Sequence, residues 1–138
     1  MKYLIDTNII SEVRKGEQCD TNVARWYASL GDADIYLSVL VLGEIRKGIE
    51  RVRRNSQDRA RALELWLATL RERFADRVLP VDQVVADEWG RMSAIRSVPS
   101  LDALLAATAK VNQMTFATRN VADVAGLGAD VINPFEAP

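Results

Sequence analysis

Asp6, Glu44, Asp102 and Asp123 each stand beside a turn or helix-start signal, in the stretches LIDTN, VLGEI, PSLDALLAATA and TRNVAD of a chain that contains no histidine. Without imidazole, hydrolytic chemistry here has to run on carboxylates and a hard cation. The missing histidine excludes Ser-His-Asp and Cys-His nucleophile systems and any proton shuttle through imidazole. Cys19 is the single cysteine, which excludes an internal disulfide and a multi-thiolate zinc site; a small loop or core residue accounts for it. Oxygen-only ligands of high negative charge suit Mg²⁺ or Mn²⁺, which prefer octahedral coordination and keep several waters.

Such acids do chemistry only if the fold brings them together. Apolar alternation from Lys2 to Asp6 predicts a first strand, and the cluster Asp6-Thr7-Asn8 caps a helix through about Lys15. Asp20 and Thr21 open a second helix ending at Gly31, followed by a short strand over Ile35 to Leu37. Ser38 starts a helix on which Leu42, Ile45, Ile49 and Val52 repeat at core spacing. Ser56 opens a long helix with Leu63, Trp66, Leu67, Leu70 and Phe74 on one side, and Arg77 to Val81 reads as a third strand. Asp82 caps a helix through about Arg96. Val98-Pro99-Ser100 breaks the chain, and Ser100 caps a helix whose buried stripe is Leu101, Leu104, Leu105, Thr108 and Ala109. A fourth strand over Thr115 to Ala117, a short helix around Val121 to Ala125, a GLG turn and a last strand near Val131 complete the chain.

Strands alternating with helices imply an α/β fold, a central, mostly parallel sheet of four to five strands flanked by helices. In such sheets functional sites gather outside the carboxyl ends of the strands. Asp6 closes the first strand, Asp123 follows the fourth, Glu44 lies in the second turn of the helix after the second strand, and Asp102 lies in the first turn of its helix, so all four are expected at one edge. Each acid also has a plain role open to it: Asp6 as a cap, Asp102 as a charge suited to a helix dipole, Glu44 and Asp123 as surface acids.

At 138 residues the chain is expected to form one domain over residues 1–138 with a substantial core. No apolar run approaches the roughly 20 residues needed to span a bilayer. MKYLIDTN reads as a strand and not a signal peptide, which places the protein in the cytoplasm. Net charge is −1, but Arg46 to Arg61 carries seven basic residues against Glu50 and Asp58. That stretch fits phosphates, an acidic partner or simply a solvated helix face equally well. Trp26, Tyr27, Trp66, Phe74 and Trp89 fall on apolar helix faces, where packing explains them.

Composition alone does not choose between these roles. The blocks LIDTNIISE, LGEIRKGIERV, LDALLAATA and TRNVADVAGLGADVINPFE, with their acids 38, 58 and 21 residues apart, resemble the PIN-domain family, specifically its VapC-like toxin ribonucleases of type II toxin-antitoxin pairs. The resemblance runs essentially end to end and implies a three-layer PIN-like sandwich. It implies that Asp6, Glu44, Asp102 and Asp123 hold Mg²⁺ or Mn²⁺, with Asp6 and Asp102 as principal ligands, and that Thr7, Asn8, Thr118 and Asn120 support them. Arg46 and Arg119 are the nearest candidates for phosphate contacts, or equally for ion pairs with the acids. Two departures are visible: the segment SAIRSVPS before Asp102 is short for such toxins, and Val124 stands where an aromatic commonly follows the last acid.

The activity so implied is hydrolysis of RNA phosphodiester bonds with water as the attacking group, leaving 5′-phosphate and 3′-hydroxyl ends. The implied partners are a cognate antitoxin covering the acidic pocket and a second copy of the chain in a homodimer. The rival from another class is a non-catalytic RNA- or antitoxin-binding module of the same fold, which would tolerate loss of any one acid. A phosphotransfer receiver would need paired acids after the first strand, and an aspartate-nucleophile phosphatase a second aspartate where Asn8 stands.

Overall fold

The computed structural model describes all 138 residues. Five strands, β1 (Tyr3–Ile5), β2 (Ile35–Ser38), β3 (Val78–Leu79), β4 (Thr115–Ala117) and β5 (Val131–Ile132), form one sheet in the order β3-β2-β1-β4-β5. Every pairing is parallel, with Leu4 opposite both Tyr36 and Phe116. The central strands are covered on both faces, which is why Leu4 and Ile5, and Phe116 and Ala117, are buried as consecutive pairs and not in alternation.

Seven helices flank the sheet: α1 (Thr7–Val13), α2 (Thr21–Ala28), α3 (Val39–Arg53), α4 (Gln57–Arg73), α5 (Gln83–Ile95), α6 (Ser100–Val111) and α7 (Val121–Val124). They fall into two groups, α1 to α4 packing among themselves and α5 to α7 among themselves, on a sheet between them. The α/β sandwich with a parallel sheet of four to five strands is therefore the observed architecture, with five strands present.

Local chemistry sets most of the boundaries. Asp6, Asp20, Ser38, Ser56 and Asp82 each accept hydrogen bonds from backbone N–H groups in the first turn of the helix they precede. On α3, Val41, Ile45 and Ile49 are buried, while Leu42 and Val52 are only half-buried at the flanks of that stripe. Three details differ from the sequence reading. The second helix ends at Ala28, and the chain up to Gly31 is a turn before a short 3₁₀ segment at Asp32–Asp34. The third strand is cut to Val78–Leu79 because Pro80 has no N–H to extend the ladder. Pro99, not Ser100, precedes α6, and no side chain caps that helix. Its buried face is wider than expected: Ala103, Ala106 and Ala107 join Leu105, Thr108 and Ala109, since alanines let the helix lie close on the sheet, whereas Leu101 and Leu104 are half-buried.

Candidate active site

Strand order reverses at β1, with β2 on one side and β4 on the other, which makes the carboxyl ends of β1 and β4 the place where such sheets bind ligands. Asp6 follows β1 and Thr118 follows β4. Asp6 N–H donates to the Ala117 carbonyl at 2.9 Å, and Thr118 N–H to that of Ile132 at 3.0 Å, so both residues are still held by the sheet ladder.

Asp6 is the anchor of the site. Its Oδ1 accepts the Thr7 N–H at 2.7 Å, and its Oδ2 accepts the Thr118 hydroxyl at 2.6 Å and the Asn8 amide at 3.3 Å. Thr118 Oγ1 in turn accepts the Asn120 N–H at 3.0 Å, and Asn8 Oδ1 accepts the Arg119 N–H at 3.3 Å. The two loops after β1 and β4 are thus stitched together through the carboxylate and its neighbours. Burial raises the Asp6 pKa, the Thr118 and Thr7 bonds pull it down, and the charge of Glu44 raises it again.

Asp102 projects from the first turn of α6. Its pKa is raised by burial, then by the charges of Asp6 and Asp123, with Glu44 adding to them and the Asn120 amide opposing. Asp102 therefore feels the charges of three acids from three other stretches of the chain. Glu44 comes from α3 and also lines a groove with Thr7, Ser11, Gly48 and Trp66. Asp123 is exposed on α7, a helix of only four residues.

So short a helix cannot hold itself, since nucleation is unfavourable and few internal bonds follow. Arg96, at the end of α5, supplies the restraint. Its Nη2 lies 3.0 Å from the Asp123 carbonyl, 2.7 Å from that of Ala125 and 3.4 Å from that of Ala122. A second tie, Glu88 on α5 to Lys110 on α6, holds the helix that carries Asp102; Glu88 is almost fully buried. Neither tie was anticipated, because Arg96 and Glu88 meet their partners only through folding over 22 or more residues.

The basic candidates are placed differently from the acids. The Arg46 guanidinium pairs with Glu50 on its own helix and with Glu64 on α4, so a phosphate there would compete with existing ion pairs. Arg119 lays its guanidinium 4.2 Å from the centre of the Phe135 ring.

The donor set suits a hard divalent cation, being all oxygen. One orphaned atom supports the fit: the Thr7 hydroxyl is buried beside Asp6 without any hydrogen-bond partner. No three of the chain's acidic or thiol side chains stand close enough together to hold one metal ion. Mg²⁺ does not require three, because it is usually bound by one or two carboxylates and keeps its remaining waters.

A parallel α/β sheet with carboxylates at its switch point defines a class of domains that act on ligands at the carboxyl edge. The PIN domain matches residues 3–122, and the chain belongs to the PIN-domain family. It is 31% identical over 137 residues to the toxin FitB of Neisseria gonorrhoeae, across 96% of this chain and 97% of FitB. It is 29% identical over 138 residues to the VapC ribonuclease Y4jK of Sinorhizobium fredii, across 96% and 97% of the two chains. A solved structure of FitAB bound to an IR36 DNA fragment matches with a TM-score of 0.88 at 30% identity, over 99% of this chain and 97% of that one. The resemblance in the four sequence blocks is borne out for family and fold. The family match stops one residue short of Asp123, whose place in the cluster rests on the charge that Asp102 feels from it.

Proposed function

We propose that the chain is a Mg²⁺- or Mn²⁺-dependent ribonuclease acting as the toxin of a type II toxin-antitoxin pair. The observation that carries this reading is Asp6, set after β1 at the switch point of the sheet and held by Thr7, Asn8 and Thr118, with Asp102 on α6 near enough to feel its charge. The names of relatives matched along nearly their whole length, a toxin and a ribonuclease, support it. Structural acids are normally paired with cations, as Glu64 and Glu88 are here; acids left facing one another mark a site built for a positive ligand.

Asp6 and Asp102 would hold the ion, with Asp123 and Glu44 completing its surroundings directly or through water. When bound, the ion makes a water more acidic and offsets the negative charge gathering on the scissile phosphate. Thr118, Asn8 and the Thr7 N–H fix the rotamer of Asp6, so its oxygens need no reorganisation when the ligand arrives. The Asn120 amide, which opposes the rise in the Asp102 pKa, would steady that carboxylate. Water, and not the ribose 2′-hydroxyl, is the attacking group. No helix is long and apolar enough to cross a membrane, and the cytoplasm is where an RNA target and a protective antitoxin would meet the chain. A second copy of the chain is the further expected partner.

The test is incubation of purified protein with total RNA, with and without Mg²⁺ or Mn²⁺, beside Asp6→Asn. Fragments with 5′-phosphate and 3′-hydroxyl ends, dependent on the ion and absent from the variant, are expected. Cyclic-phosphate ends, or cleavage that survives both chelation and the variant, would refute the reading. RNA binding without cutting would support the binding-module alternative.

A further inference from the structure

The seven basic residues between Arg46 and Arg61 are not equivalent once folded. Arg46 and Arg53 are bound to Glu50 and Glu64, forming a neutralised network between α3 and α4. Arg61 lies 3.8 Å from Asp58. Arg59 on α4 is exposed and unpaired; Lys47, Arg51 and Arg54 likewise form no ion pair, and all three are exposed. Their spacing of four and three residues puts them on one face of α3 and its C-cap, beside the ion-pair network. That free face begins one helical turn beyond Glu44. From Lys47 to Arg54 it extends about 10 Å along the helix axis, at roughly 1.5 Å per residue.

Position and free charge together decide what this face can do. Arg46 or Arg53 would have to break an existing pair to take a phosphate, whereas Lys47, Arg51 and Arg54 only exchange water for it. Elsewhere Arg73 is paired with Asp32 and Lys110 with Glu88, Arg119 lies over the Phe135 ring, and the unpaired Arg25, Arg59 and Arg71 are on α2 and α4, off the helix that carries Glu44. A strand whose scissile phosphate sits among the acids carries its neighbouring phosphates past Glu44, where each needs a counter-charge. An acidic peptide would meet the same stripe but be repelled at the crevice it leads into. We propose that Lys47, Arg51 and Arg54 form the track that seats the RNA backbone on one side of the acidic crevice. The choice of RNA as the strand rests on the ribonuclease reading; the track itself rests on the unpaired charge.

The full chain in EDTA, where nothing is cut, should be titrated with a labelled single-stranded oligoribonucleotide between 50 and 200 mM NaCl. For K47Q/R51Q/R54Q the slope of log K against log salt should shrink by about 2, given roughly 0.7 per phosphate contact on a single strand. Affinity at 100 mM salt should fall at least tenfold, and R71Q, an exposed cation on α4, should leave both unchanged. In the presence of Mg²⁺ the triple variant should raise KM for RNA with kcat within about twofold. The substituted side chains are exposed, so circular dichroism should find the fold intact. Unchanged affinity and slope in the triple variant would overturn the proposal, as would a loss confined to binding of poly-glutamate. If the wild type binds RNA through the stripe but cuts nothing with either ion, the nuclease reading falls and the track stands. If it cuts with the ion while the triple variant binds as the wild type does, the reverse holds.

Discussion

The Thr118 hydroxyl donates to Asp6 Oδ2 at 2.6 Å, a fully buried hydrogen bond that joins residues 112 apart in the chain. It ties the carboxyl end of β1 to that of β4 at the point where strand order reverses. Replacing the hydroxyl by a methyl of the same volume leaves Asp6 with one strong donor fewer. Thr118→Val is therefore expected to destabilise the protein by about 1–3 kcal/mol in urea titrations. RNA cleavage should fall by about 10–100-fold, the usual effect of removing a residue that orients a ligand. Thr118→Ser should recover most of both.

Stability should depend on pH in a way that can be traced to Asp102. Both Asp6 and Asp102 have pKa values raised from the ordinary 3.8, first by burial and then, for Asp102, by the charges of Asp6 and Asp123. A carboxyl whose folded-state pKa is raised contributes stability that is complete below the unfolded value and lost as pH climbs through the folded one. Asp102→Asn removes that loss. In EDTA its Tm should exceed the wild-type Tm by roughly 2–4 °C at pH 7.5, and the gap should close toward pH 4.5. A gap of constant size at both pH values would contradict the assignment.

Opposite behaviour is expected of the paired acids. Glu88 is held below the usual carboxylate range, chiefly by its bond to Lys110 and also by Arg91. Its contribution is present above the unfolded value and disappears as pH falls through the lowered folded one. Glu88→Gln should therefore lower Tm at pH 7 and lose its effect in acid, which a pair of thermal melts would establish.

A divalent ion should reverse the repulsion among the acids. With Mn²⁺ or Mg²⁺ at a hundredfold excess over its dissociation constant, linkage adds about 2.7 kcal/mol to the folded state. Tm should rise accordingly, chelation should undo the rise, and Asp6→Asn should abolish it. Equal melting with and without the ion, in protein shown to cut RNA, would place the ion elsewhere.

Arg96 is expected to act as a positioning residue for Asp123, because its guanidinium reaches three carbonyls at the end of α7. Arg96→Lys keeps the charge and loses the planar fork, so it should behave like Arg96→Gln and not like the wild type. Both variants should raise the Mn²⁺ concentration needed for half-maximal cleavage by about tenfold. At saturating Mn²⁺ the rate should recover, while amide exchange of residues 121 to 124 quickens. Normal exchange and an unchanged Mn²⁺ midpoint would leave Arg96 as an ordinary surface residue.

The strands and helices were largely readable along the chain because their signals are local. An aspartate or serine before an apolar stripe caps whatever helix follows it, and Asp6, Asp20, Ser38, Ser56 and Asp82 all do so. Where the reading slipped, competing local chemistry intervened, as at Pro80 and Pro99. The acids stood out as candidates by their place near turns and helix starts, and the family resemblance singled them out as a set. Their surroundings were not legible: Arg46 looks like a free cation until Glu64 arrives from another helix, and nothing near Arg96 announces the carbonyls it will hold 26 to 29 residues away.

What the amino-acid order determined on its own is the alternation of short apolar strands with capped helices, and the exclusion of imidazole and thiolate chemistry. Periodicity and capping act within a turn or two, and a missing residue type is missing wherever the chain goes. What only the tertiary structure decided is which charges meet. Asp102 feels the charges of Asp6, Asp123 and Glu44, and Lys47, Arg51 and Arg54 remain unpaired, because the sheet order brings distant stretches together while the α3–α4 packing uses up Arg46 and Arg53. Electrostatic partners are set by distance in space, and that distance is a property of the packed chain alone.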